Sequence, residues 1–134
     1  MLFYRIENQK RRGPYADHRA AGILDRWMGG KLSSQRHPPL WSDSMLKDAL
    51  KKDGISTRIS STNFRFGFSS MEQLRAWFFD DNVLLQLEDM GFVLGVYEAD
   101  VWVGNCQAII LAEEHALENR REVHLLSSFC LTKK

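Results

Sequence analysis

The chain has 134 residues, 44% of them apolar, which is enough for one domain with a single core. Eighteen basic and 17 acidic side chains nearly cancel, so no overall charge draws the protein towards nucleic acid or an anionic membrane. Cys106, Cys130 and four scattered histidines give neither a disulfide framework nor the spacing of metal ligands. We expect no metal site and no nucleic-acid partner.

The chain begins "MLFYRIENQK", which reaches charged residues too early for a secretory signal. No segment approaches the roughly 18 consecutive apolar residues of a membrane span. We therefore expect a soluble protein of the cytoplasm.

The first half predicts one strand, two helices and a loop. "LFYRIE" (2 to 7) is short, apolar and aromatic, and is expected as a strand inside the sheet. "ADHRAAGILDRWMGG" has helical spacing and predicts a helix from about 16 to 28, ended by two glycines. The proline-containing segment 30 to 44 is expected as a loop near a cleft, and "SDSMLKDALKKDG" as a second helix that ends at Gly54.

The middle of the chain alternates between strands and helices. "ISTRIS" (55 to 60) and "FRFGF" (64 to 68) have the period of strands. Ser69 and Glu72 fit a capping box, which predicts a helix beginning there. "DDNVLLQLEDMG" predicts a further helix, capped by Asp81 and ended by Gly91.

The last third begins with "FVLGVYEA", an apolar run expected at the centre of the sheet, and "VWVGNCQAIIL", a hairpin that turns at Gly104 and Asn105. "EEHALENRREVHLL" has helical propensity, and the tail from about 126 to 134 is expected to fray. Together these elements predict a single α+β domain over 1 to 134, with packed helices and a mixed, twisted sheet of about five or six strands.

Arg5, Ser69 and Ser70 are candidate ligand-binding residues. Arg5 lies in the first strand, where a guanidinium could clamp a phosphate or carboxylate with two parallel bonds. The alternative is a surface ion pair with Glu7 or another acid. Ser69 and Ser70 follow a strand and precede a helix, so they could face an anion or a ribose, or could simply cap the helix.

Three other features have a functional and a structural interpretation. Tyr15 could stack on a base or a nicotinamide, or pack on the first helix. Glu113 follows an apolar strand, where a catalytic carboxylate can be placed, but it also fits a solvated helix start. The basic triplet "KRR" (10 to 12) could contact phosphate or form a solvated loop.

Two resemblances rest on these motifs. "FYRIE", "GPY", "HPPLWSD", "FGFSSMEQLRAWF" and "GFVLGVYEADVWVGNCQAII" resemble small proteins encoded by bacteriophages and prophages, over most of residues 2 to 111. This resemblance implies an accessory role in the host bacterial cytoplasm, in a class that includes inhibitors of host defence.

The order of elements also resembles the ADP-ribosyltransferase fold. That resemblance implies an NAD-contacting arginine at Arg5, a serine motif at Ser69 and Ser70, and a catalytic position near Gln107. The family expects a glutamate on this last strand, where the present chain has Ile109. Without that carboxylate, transferase chemistry loses its main electrostatic aid.

Two hypotheses follow from the sequence. In the first, a phage protein binds NAD or a similar nucleotide through Arg5, Tyr15, Ser69 and Ser70, with Gln107 or a nearby glutamate such as Glu113 orienting the reactive carbon. In the second, the protein is a non-catalytic inhibitor that binds a bacterial host or defence protein. The oligomeric state is left open by the sequence.

Overall fold

A computed structural model describes residues 1 to 27, 43 to 55 and 63 to 130. The loop expected at 30 to 44 and the strand expected at 55 to 60 fall almost entirely outside the described residues. Within them the chain forms a single α+β domain of four helices and two small antiparallel sheets. None of the helices in these three ranges is long and apolar enough to cross a membrane.

The first sheet contains β1 (Leu2–Glu7), β3 (Val93–Glu98) and β6 (Arg120–Leu125), with β3 in the middle. The second contains β2 (Phe64–Gly67), β5 (Ala108–Leu111) and β4 (Trp102–Val103), with β5 in the middle. Every strand pairing in both sheets is antiparallel. The expectation of one mixed sheet was therefore wrong, although the hairpin of β4 and β5 is confirmed.

A single bridge joins the two sheets. The amide of Tyr4 donates to the carbonyl of Phe68 over 2.7 Å, and the amide of Phe68 donates back over 2.8 Å. β1 therefore has a hydrogen-bonded neighbour on both sides, as expected for a strand inside the sheet.

The helices are α1 (His18–Trp27), α2 (Ser44–Lys52), α3 (Met71–Trp77) and α4 (Asp81–Asp89). All four lie where the apolar periodicity predicts them, because each buries one stripe of apolar side chains. Ile6, Leu94 and Val96 of the first sheet face the main core, where side chains of α1, α3 and α4 also pack. The left-handed glycines Gly54 and Gly91 follow α2 and α4, as expected for helix ends.

Asp43 attaches α2 to the β4–β5 hairpin. Its carboxylate is buried, accepts from the amide of Leu46 over 3.1 Å and thereby caps α2. The same carboxylate accepts from the backbone amide of Asn105 over 2.9 Å, in the turn of the hairpin. One side chain thus satisfies backbone donors from two distant segments.

Residues 112 to 130 differ most from the sequence-based expectation. Instead of a helix they form two short 3-10 turns, Ala112–His115 and Leu117–Asn119, followed by β6. A third 3-10 turn, Leu126–Phe129, places Leu126 in the main core together with Cys130. The tail was expected to fray from about 126, but burial of these two side chains fixes it as far as Cys130.

Candidate functional site

The most unusual feature of the interior is the fully buried carboxylate of Glu7. His115 Nε2 lies 2.8 Å from Glu7 Oε1, and the hydroxyl of Tyr97 donates to Glu7 Oε2. Arg5 Nε lies 3.4 Å from Oε1, and Arg120 Nη1 lies 3.4 Å from Oε2. A buried acid is stable only with such partners, because an unpaired charge in the interior is very costly. We call these five residues the Glu7 cluster.

The strand register builds the Glu7 cluster on the face of the first sheet opposite the helices. Arg5 and Glu7 alternate along β1 and so point to the same side. Gly95, the partner of Arg5 on β3, leaves the space that the carboxylate occupies, since a Cβ there would lie 2.9 Å from Glu7 Oε2. A register shift between β3 and β6 pairs Arg120 with Tyr97 and so turns Arg120 to this face.

Arg5 serves the interior of the protein. It is 7% exposed, and its Nη1 donates to the carbonyl of Phe66 over 2.5 Å. Its Nε approaches Glu7 at ion-pair distance without hydrogen-bond geometry. Burial lowers the pKa of Arg5 to about 10, although Glu7 opposes this effect, so the guanidinium stays charged near neutral pH. The ion pair with Glu7, one of the two sequence-based alternatives, is thus present, but it is buried and not at the surface.

The partners of Glu7 keep it ionised. Burial alone would raise the pKa of Glu7, but hydrogen bonds from His115 and Tyr97 outweigh it and hold this pKa below its ordinary 4.5. Burial lowers the pKa of His115 below 6.5, against the opposing effect of Glu7. Because an ionised carboxylate can only accept, the neutral His115 ring donates from Nε2. Burial, together with Glu7, raises the pKa of Tyr97 to about 12.

Tyr15 packs inside the protein. Its ring meets Phe66 edge to face at 6.2 Å, and its hydroxyl accepts from Trp77 Nε1 over 2.9 Å. Burial raises the pKa of Tyr15 to about 12. These contacts are those of the packing interpretation, and stacking on a nucleotide stays a prediction.

Ser70, and not Ser69, caps α3. Ser70 Oγ accepts from the amide of Gln73 over 3.0 Å, and Gln73 Oε1 accepts from the amide of Ser69 over 2.8 Å. The predicted capping box of Ser69 with Glu72 was therefore displaced by one residue. The cause is chemical equivalence, because either serine can cap and a glutamine can replace the glutamate.

A cavity of about 330 Å³ lies beside this cap and is lined by Ser70, Glu72, Gln73, Ala76, Trp77, Asn105 and Cys106. Arg5, Tyr15, Gln107 and Glu113 are not among its lining residues. Gln107 is buried, and its carbonyl accepts from the amide of Gly104 over 2.7 Å. Glu113 is exposed in the 3-10 turn that follows β5. The roles proposed for these residues in nucleotide binding stay predictions.

Sequence reasoning missed three members of the Glu7 cluster: Tyr97, His115 and Arg120. A partial signal existed in "LFYRIE", where strand alternation puts Arg5 and Glu7 on one face of a strand expected inside the sheet. Two opposite charges in that position indicate a buried pair. Nothing local marks His115, because its role depends on contact with a residue 108 positions away.

The fold and the Glu7 cluster define a small α+β protein with an ionic centre closed inside it. Comparison with protein-family models adds a family: the model of the Bacteriophage T4 Y00F protein matches residues 1 to 124. The chain belongs to this phage family, which confirms the resemblance to small phage proteins. Neither the curated proteins nor the solved structures contain a match. The resemblance to ADP-ribosyltransferases receives no support from the family match or the fold.

Proposed function

We propose that this phage protein is a non-catalytic accessory protein that binds a bacterial host or defence protein in the host cytoplasm. The observation that carries the proposal is the closure of the Glu7 cluster. Glu7 is fully buried, and Arg5 and His115 are each less than one-tenth exposed. Their charged and donor groups stabilise the protein and are not presented to a substrate.

The proposed contact surface is the basic loop after β1. Arg11 has φ of 59°, a left-handed conformation that is uncommon for arginine, and its Nη1 donates inward to the carbonyl of His115. The neighbouring Lys10 and Arg12 remain exposed. The Asn8 side chain holds both, because its Oδ1 accepts from their amides over 2.9 and 3.0 Å.

This loop borders a surface cavity of about 510 Å³ whose lining also includes Asp17 and His18. Asp17 Oδ1 accepts from the amide of Ala20 over 3.0 Å at the start of α1. The charge offered to a partner is therefore mainly positive, on an ordered loop that loses little conformational entropy on binding. An acidic surface on the bacterial partner complements it.

A capture experiment tests this proposal. The tagged full chain, incubated with bacterial lysate, should retain one protein at fixed stoichiometry. Lys10→Glu/Arg12→Glu should lose that protein. Lys47→Glu/Lys51→Glu makes the same change in net charge on exposed positions of α2 and should retain it.

The competing enzymatic hypothesis has a separate readout. Lysate proteins incubated with the chain and NAD should show no added ADP-ribose mass, and calorimetry should show no heat of NAD binding. Modified lysate proteins together with no retained partner would overturn the proposal in favour of an NAD-dependent activity. Equal retention by both charge-reversed variants would remove the basic loop as the contact surface.

A further inference from the structure

β6 is an edge strand with an open outer side. It pairs with β3 on its inner side, and no strand in the described part of the chain pairs with its outer side. Residues 121 to 125 are exposed, including two apolar side chains, Val123 at 48% and Leu125 at 59%. An uncovered edge of this kind can pair with another strand.

The bridge between the sheets determines which backbone groups of β6 point outward. Tyr4 directs its amide and carbonyl towards Phe68, so its neighbour Arg5 directs them towards β3 and pairs there with Gly95. Backbone direction alternates along β3, so Val96 and Leu94 face β6, where they pair with Glu122 and His124. Val123 and Leu125 consequently present their amides and carbonyls at the open edge.

We propose that two copies of this chain associate by antiparallel pairing of β6 with β6, about a two-fold axis at Val123. In this register Val123 of each copy faces Val123 of the other and exchanges two backbone hydrogen bonds with it. The pairing makes one continuous sheet of β1, β3 and β6 from both copies. This self-association goes beyond the proposed function and does not depend on it.

Charge complementarity selects this register. Centring the pair on Val123 places Glu122 opposite His124 of the second copy, twice by symmetry, at the non-hydrogen-bonded positions where opposite side chains lie closest. Within one copy His124 Nε2 already lies 2.8 Å from Glu122 Oε1, so the two pairs would form an alternating group of four. Centring on Glu122 or His124 would instead oppose identical polar residues and gain no such pairs.

Sedimentation equilibrium of the full chain tests the association. The parent should show a reversible monomer–dimer equilibrium that depends on protein concentration. Val123→Pro removes the outward amide while leaving the bonds to β3 intact, because proline is tolerated on edge strands where its nitrogen faces solvent. We expect this variant to remain monomeric throughout. Val123→Thr keeps both the amide and the β-branched shape, and should still dimerise.

A charge exchange tests the register without proline. Glu122→Lys and His124→Glu should each weaken the dimer about tenfold, because two cross-strand pairs per dimer are lost. The double variant Glu122→Lys/His124→Glu should restore it. All four residues of the group are exposed, so melting temperatures should stay near that of the parent.

Three results would overturn the proposal: a parent that is monomeric up to its solubility limit, a folded Val123→Pro variant that dimerises like the parent, or a double charge exchange that restores nothing. If Val123→Pro does not fold, the charge exchange decides alone. A monomeric parent would leave the capture experiment with Lys10 and Arg12 unaffected, so the two proposals fail separately.

Discussion

Glu7 Oε1 lies 2.8 Å from His115 Nε2, although the two residues are 108 positions apart in the chain. This contact joins the first strand to the 3-10 turn that follows β5. Because both side chains are buried, it places a carboxylate, an imidazole and their arginine partners in a region where water cannot replace a lost interaction.

Removing the charge at Glu7 should be strongly destabilising. In Glu7→Gln, Arg5 and Arg120 lose their carboxylate partner, so we expect a loss of about 3 kcal/mol in the free energy of unfolding. Denaturant titration measures it. Glu98→Gln is the matched control, since Glu98 forms an exposed pair with the N-terminal amine and should cost less than about 1 kcal/mol. Similar losses in both variants would contradict the role of the Glu7 cluster.

Stability should decrease as the pH falls below 6.5. The unfolded chain protonates His115 near its ordinary pKa of 6.5, whereas burial lowers this pKa in the folded state, so the unfolded state binds more protons in this range. Below pH 4.5 the lowered pKa of Glu7 adds a second loss by the same sign. Urea titrations at a series of pH values give the profile.

His115→Gln should flatten the part of this profile just below pH 6.5 while retaining a donor for Glu7. His124→Gln, the same substitution at a largely exposed histidine, is the control. A parent whose stability does not change between pH 7 and pH 5 would be incompatible with the buried neutral ring (the range is about one and a half units around the ordinary histidine pKa).

Two aspartates that cap helices should differ in their contribution to stability. Asp80 caps α4 through the amide of Asn82, so Asp80→Ala should cost about 1 kcal/mol. Asp43 caps α2 and also accepts from Asn105, so Asp43→Ala should cost about 3 kcal/mol, because buried donors from two segments are left without a partner. Thermal unfolding compares them, and equal costs would show that the link to the hairpin contributes nothing.

Two glycine-to-alanine substitutions should have opposite effects. Gly95→Ala places a Cβ 2.9 Å from Glu7 Oε2 and 3.0 Å from Tyr97 Cε1, so it should destabilise the protein by about 2 kcal/mol. Gly22→Ala lies within α1, where the nearest atom is the flexible end of Arg26 at 3.8 Å, and should stabilise it by about 0.5 kcal/mol. Melting temperatures measure both, and a tolerated Gly95→Ala would contradict the close packing of Glu7.

The sequence by itself determined the parts of this protein that depend on local chemistry. Apolar periodicity located all four helices, Gly54 and Gly91 marked two helix ends, and Gly104 with Asn105 marked the turn of the β4–β5 hairpin. Each depends on residues a few positions apart, whose side chains and backbone angles are limited by their own geometry. The α+β class followed from these elements.

Only the tertiary structure decided the contacts between distant segments. "RREVHL" became a strand and not a helix because pairing with β3 outweighed its local propensity. The sheet divided into two antiparallel parts because β1 pairs with β2 at one bridge only. Arg5, which in the sequence could have served a ligand or a surface pair, was committed to Glu7 when folding brought His115 and Arg120 to the same buried carboxylate, and no pattern in neighbouring residues encodes a distance between the two ends of a chain.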